Sequence, residues 1–141
     1  MKILSSEDME NLLIGAEIMG CGGGGPVEWA REMINEVFDK GKKFRMIDPQ
    51  ELPDDSLVVI TGRVGGGVPE EIKQKVAKLK RIYDKPELVA VKELAEYIGE
   101  RPYAFLASEI GAGNTTIPMY CLLYTSPSPR DLSTSRMPSS A

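Results

Sequence analysis

The chain predicts an α/β fold, a layered sheet with flanking helices, on three observations. Apolar residues recur at helical spacing in four segments, short runs of β-branched and aromatic residues lie between them, and glycine clusters mark the joints. Ser5 followed by Asp8 resembles a capping box, and Met9, Leu12, Leu13, Ala16 and Met19 share a helical face, which predicts a helix over 6–19 stopped by Gly20. Pro26 suits a first helical position, and the stripe Ala30, Met33, Ile34, Val37 and Phe38 runs to Gly41. Residues 44–47 and 57–61 read as strands, bounded by Pro49, Pro53 and Asp54-Asp55. Their link is too short for a parallel crossover, so they are antiparallel neighbours or not adjacent. From Pro69, the residues Ile72, Val76, Leu79 and Tyr83 predict a helix whose outer face carries Lys73, Lys75, Lys78, Lys80 and Arg81, offset by Glu70 and Glu71. Leu88, Val91, Leu94, Ala95 and Ile98 predict another helix, ending at Gly99, and residues 103–107 a buried strand that delivers Glu109. The helical crossover between 57–61 and 103–107 is long enough to make those two strands parallel.

The end of the chain is of a different kind. From Thr125 to Ala141, eleven of seventeen residues are Ser, Thr or Pro, and no apolar period runs through them. Cys121-Leu122-Leu123-Tyr124 running into SPSPRDLSTSRMPSSA resembles translated sequencing-adapter read-through. The expected organisation is therefore one incomplete domain over 1–120 and a disordered, artefactual Ser/Pro tail over 121–141, with the native sequence continuing beyond about Met119.

Composition excludes several function classes. The net charge is −4, and without the tail 15 basic residues face 20 acidic ones with no basic stripe, which argues against nucleic acid and anionic membrane as partners. No run approaches the length of a membrane span, and the opening MKILSSEDMENLL becomes charged too early for a signal peptide. With Cys21 the one cysteine outside the tail, no disulfide framework exists, and the expected setting is cytoplasmic. The absence of histidine removes His-based triads and His-based metal sites within these residues, leaving carboxylate, Lys, Tyr or Cys as acid or base. No metal ligand set is expected, and no cofactor is identified.

Three glycine clusters carry the functional signal: Gly20-Cys21-Gly22-Gly23-Gly24-Gly25-Pro26, Gly65-Gly66-Gly67 before Pro69, and Gly111-Ala112-Gly113-Asn114. Such runs cost backbone entropy and pack little, so they occur where the main chain approaches a ligand or needs positive φ. Each precedes a helix start, where free backbone N–H groups suit an anion or a polar heterocycle. Glu109, at the carboxyl end of a predicted strand, is the candidate general base or ring N–H acceptor, the alternative being a helix cap. Asn114 could match the alternating donor and acceptor edge of a cyclic imide, or serve as a turn residue. Arg63 could hold a substrate carboxylate, or be a solvated surface group. Cys21 is either a thiol activated at a helix entry or a small buried filler. Gly22, Gly23, Gly24, Gly25, Gly66 and Gly113 complete the candidate substrate-binding set. The clusters are expected to converge on one mouth of the sheet.

Gly20-x-Gly22-x-x-Gly25 also matches the dinucleotide fingerprint, with Asp48 about where a ribose-binding acid would stand. The fingerprint needs a strand before its first glycine, however, and residues 6–19 have helical periodicity.

The order of GCGGGGP, IDPQELPDDSLVVITGRVGGG and SEIGAGNTTIPM resembles the N-terminal domain of the S-methyl thiohydantoin desulfurase family, often encoded beside hydantoinase or oxoprolinase components. The resemblance covers residues 6–119. It implies an α/β first domain followed by a second, and chemistry on a thiohydantoin or hydantoin ring, with a small cyclic imide as ligand and hydantoinase-type subunits, or further copies of a complete chain, as partners. The family usually has Thr where Cys21 stands, which argues against an obligatory nucleophile there, and an acidic Asp-Gly-Met-Gly-like segment expected after Asn114 is absent. An enzyme fragment that is inactive alone, a non-catalytic binding or partner-subunit domain, and a dinucleotide-binding domain are the three functional expectations.

Overall fold

A computed structural model describes residues 1–80 and 82–125. The elements run β1 (Lys2–Leu4), α1 (Ser6–Gly20), α2 (Val27–Asp39), β2 (Phe44–Met46), a 3-10 turn (Pro49–Glu51), β3 (Val58–Thr61), α3 (Glu70–Ala77), α4 (Pro86–Ile98), β4 (Ala104–Ala107) and α5 (Ala112–Thr125). The α/β class is as the periodicity predicts, but the strands form two pairs rather than one layer. β1 lies antiparallel to β2, and β3 parallel to β4, with Val59 opposite Phe105 and Thr61 opposite Ala107. The predicted strands at 44–47 and 57–61 are therefore not neighbours, and β1, too short to show a period, goes unread in the sequence.

α1 begins as its residues dictate. The Ser5 hydroxyl accepts from the Asp8 amide at 3.1 Å, while the Asp8 carboxylate accepts from the Ser5 amide at 2.9 Å and from Lys2 Nζ at 2.8 Å. These contacts, Lys2 first, hold the Asp8 carboxyl down at about 2 against an ordinary value of 3.8. A depressed folded value adds stability above the unfolded value, and that stability is lost as pH falls from about 4 through about 2. Ser5→Ala is expected to cost about 1 kcal/mol at neutral pH. Asp8→Asn should flatten the acid limb of a pH–stability curve, and an unchanged limb would refute the assignment.

α5 is the hub. The main core gathers Leu4, Met9, Leu13, Ala30, Ile34, Val37 and Phe44 against Ala112 and Tyr120 of α5, and Phe38 meets Phe44 edge-on at 5.5 Å between ring centres. A second cluster joins Val91 of α4 to Ile117 and Cys121. Burying each large aliphatic side chain contributes about 1.5–3 kcal/mol, so α2 and α4 are held chiefly through α5.

α5 continues past Tyr120. Ile117, Tyr120, Cys121 and Tyr124 fall on one stripe, Cys121 is fully buried, and the Leu123 carbonyl accepts from Lys42 Nζ at 2.9 Å. Extending a helix already nucleated costs little, so an apolar turn prolongs α5 to Thr125. Cys121 is thus not part of a disordered tail, and burial pushes its thiol up to about 12. The rest of the predicted tail, 126–141, lies outside the described residues.

Glu36 ties α2 to this hub. Its carboxylate accepts from Lys40 at 2.6 Å, Tyr124 at 2.8 Å and Tyr120 at 2.9 Å, and also from Lys85. Hydrogen bonds from Lys40 and then Lys85 hold it well below the usual carboxylate range. No helix among the described residues is long and apolar enough to cross a membrane. The predicted helix over 69–83 is shorter than its pattern, and its apolar residues Ile72, Val76, Leu79 and Tyr83 are all exposed.

Candidate functional site

The carboxyl ends of β3 and β4 open side by side, because the pair is parallel and its ladder continues through the Ser108 amide donating to the Thr61 carbonyl at 2.9 Å. The chain leaving β3 supplies Gly62 and Arg63, and the chain leaving β4 supplies Ser108, Glu109 and the start of α5. A Cβ on Gly62 would stand 2.0 Å from the Ser108 hydroxyl and 3.0 Å from Ser108 Cβ, so a side chain there would have to push Ser108 aside.

Asn114 sits between them and is 3 % exposed. Its Oδ1 accepts from the Arg63 amide at 2.8 Å, and its Nδ2 donates to the Arg63 carbonyl at 3.1 Å and to Glu109 Oε1 at 2.7 Å. Both amide hydrogens and one oxygen lone pair are thereby used within the protein. The side chain expected to read a ligand edge instead fixes the β3 exit and orients the Glu109 carboxylate. Glu109 itself is exposed, and its Oε2 has no acceptor duty among the described residues.

The first and third glycine clusters converge by main-chain contact. Asn114 N donates to the Gly24 carbonyl at 2.7 Å and Gly113 N to the Gly25 carbonyl at 3.4 Å. A Cβ on Gly24 would meet Gly111 Cα at 2.4 Å, and one on Gly111 would meet the Gly23 oxygen at 2.5 Å. These glycines let the α1–α2 loop seat against the first turn of α5, and that loop consumes amides expected to serve a ligand. The amides of Gly24 and Gly25 have no acceptor among the described residues and stay available. α2 opens beside them at Pro26 without a side-chain cap.

The second cluster does not join. A Cβ on Gly65, Gly66 or Gly67 would meet open space, and no backbone hydrogen bond among the described residues ties them to the other two loops. Gly22 likewise faces open space. Arg63 is not a free surface group: its guanidinium lies 5.0 Å above the Trp29 ring and donates to Glu87 Oε2 at 2.9 Å. Cys21 is exposed rather than a buried filler, capping α1 in the left-handed region with φ 47°. The glycine loop joins two helices, and Asp48 caps the 3-10 turn by accepting from the Gln50 amide at 2.9 Å, so the dinucleotide fingerprint lacks its strand and its acid is used locally. Trp29, Gly62, Glu87 and Ser108 belong to the site and went unread. Gly62 alone gave a signal, as a glycine directly at a strand end.

No group of three or more Cys, Asp or Glu side chains suited to a metal occurs among the described residues. The family described as S-Me-THD-like, N-terminal domain, matches residues 7–127. No curated protein and no solved structure matches the chain.

Proposed function

We propose, for a chain that belongs to the family of S-Me-THD-like N-terminal domains, that the mouth between the β3 and β4 exits and the first glycine loop supplies part of a pocket for a thiohydantoin or hydantoin ring in a hydrolase-like protein. The observation that carries this reading is the Asn114 amide holding Glu109 at 2.7 Å, which leaves one carboxylate oxygen outward at the carboxyl end of a parallel strand pair. That oxygen can accept a ring N–H and take its proton. The amides of Gly24 and Gly25 are suited to an adjacent carbonyl or thiocarbonyl, on which negative charge grows when a nucleophile adds to the ring. Arg63, braced by Trp29 and Glu87, offers a positive edge to an acidic ring substituent. Asn114 is a positioning residue in this scheme. The reading extends to hydantoinase-type subunits as partners and to a cytoplasmic setting.

Titration of the 15N-labelled chain with hydantoin and with S-methyl thiohydantoin tests it. Amide shifts should concentrate at Gly24, Gly25, Arg63, Glu109 and Asn114. Shifts confined to Gly65, Gly66 and Gly67, or no saturable shift, would overturn the reading.

A further inference from the structure

The second glycine cluster has no conformational duty in this arrangement. Gly65, Gly66 and Gly67 lack positive φ, and a Cβ on any of them would meet open space. Neither a turn nor a close approach calls for glycine there, and what remains is freedom of the backbone. The cluster lies within residues 62–69, which carry no helix or strand and are exposed throughout. That segment joins β3 to α3.

α3 in turn lacks support. Every one of its residues is exposed, and its ion pairs, Lys75 with Glu71 at 2.7 Å and Lys73 with Glu70 at 3.3 Å, are internal to the helix. Such pairs add little, and a helix of 8 residues is marginal in water unless an apolar face is packed. It has that face. Val68, Ile72, Val76 and Leu79 follow one another at helical spacing, and all are exposed.

A matching face stands bare on β3 and β4. Parallel strands are normally covered on both sides. Here one side is covered by α4 and α5, where Phe105 packs against Val91, Ile117 and Cys121. On the other side Ile60 and Leu106 are opposite each other in the register, and both are exposed together with Val58.

We infer that α3 is a strap, hinged at Gly65, Gly66 and Gly67, that closes on this face and seats Val68, Ile72, Val76 and Leu79 over Val58, Ile60 and Leu106. The lengths agree, since a helix like α3 is about 12 Å long and a strand like β3 about 13 Å. Extended, residues 62–69 reach up to about 26 Å, ample to turn the helix back. A helix laid over the strand it follows runs antiparallel to it, so residues 64–69 then border the mouth beside Glu109. The tether decides the occupant, because a short flexible linker presents its own helix at roughly millimolar effective concentration, well above that of a second copy in dilute solution. The closure does not depend on the ring reading, since it stands on α3, its linker and the sheet face alone.

The test uses the full chain with labelled Ile, Leu and Val methyl groups, read by methyl–methyl contacts and amide exchange. The Ile72 and Val76 methyls should lie close to those of Ile60 and Leu106, and the α3 amides should be protected. Leu106→Thr keeps a β-branched residue in the strand but removes the apolar seat, so α3 amides should exchange about tenfold faster although the substitution lies in β4. Val76→Asp should shift the Ile60 and Leu106 methyls in return, and the two substitutions together should release α3 no further than either alone. Absence of Ile72 and Val76 contacts to the strands, equal α3 exchange in the parent and Leu106→Thr, or unmoved Ile60 and Leu106 methyls in Val76→Asp would each overturn the inference. So would contacts that form only between differently labelled chains mixed together, which would put a second copy on the face.

Discussion

Gly24→Ala should lower folding stability by about 3 kcal/mol, the sum of roughly 1–2 for a side chain in the left-handed region and 1–3 for overpacking. The strain arises at φ 74°, and the clash because the new Cβ would stand 2.4 Å from Gly111 Cα, a backbone atom that cannot rotate away. For a domain of this size the melting temperature should fall by roughly 10 °C. Gly22→Ala separates the two causes, since φ is 90° there but nothing lies within 4 Å. It should cost only about 1 kcal/mol, and Gly66→Ala, in open space without positive φ, should be near neutral. Calorimetry of the three variants decides the matter. Equal losses at Gly24 and Gly22 would show that the loop does not lean on α5. The consequence reaches the site, because the contact that Gly24 and Gly25 make with Gly113 and Asn114 is also the one that sets the start of α5 under Glu109.

Glu109→Gln should weaken hydantoin-type ligands by about 10- to 100-fold, the range for removing a hydrogen bond to a charged acceptor. The amide keeps an oxygen for Asn114 Nδ2 but turns its –NH₂ outward, toward a ring N–H that needs an acceptor. The fold should not change, as Glu109 is exposed and the substituted amide keeps an oxygen to accept from the buried Asn114. Asn114→Ala should fail differently, by losing stability along with affinity, because three hydrogen bonds at a buried position go with it. Where turnover is measurable, Glu109→Gln should lower it by 10²–10⁴ as loss of a general base does, following the range of about two to four decades typical of such groups. Full ligand affinity in Glu109→Gln would remove Glu109 from the site. Weakened binding without any turnover in the parent would favour a binding domain over an enzyme.

Local chemistry made much of this architecture legible. Ser5 and Asp8 cap α1 within four residues of chain, Gly99 ends α4 in the left-handed region, and Ala30, Ile34 and Val37 show their buried stripe by spacing alone. The parallel pairing of β3 with β4 followed from crossover length, and with it the placement of Glu109 at an open strand end. The sequence by itself thus determined the α/β class, most helix bounds and which carboxylate stands at the sheet's edge, because each depends on residues near one another in the chain. Only the tertiary structure decided what the glycines are for. Gly24 and Gly111 are 87 positions apart in the chain, and nothing local distinguishes a glycine that admits a ligand from one that admits another backbone. It also decided that Asn114 faces inward, that Arg63 is braced by Trp29 and Glu87, and that Gly65, Gly66 and Gly67 stand apart. A hydrogen-bonding group declares its chemistry in the sequence, but its partner is chosen by packing, which brings distant segments within 3 Å and leaves the chain no local record of it.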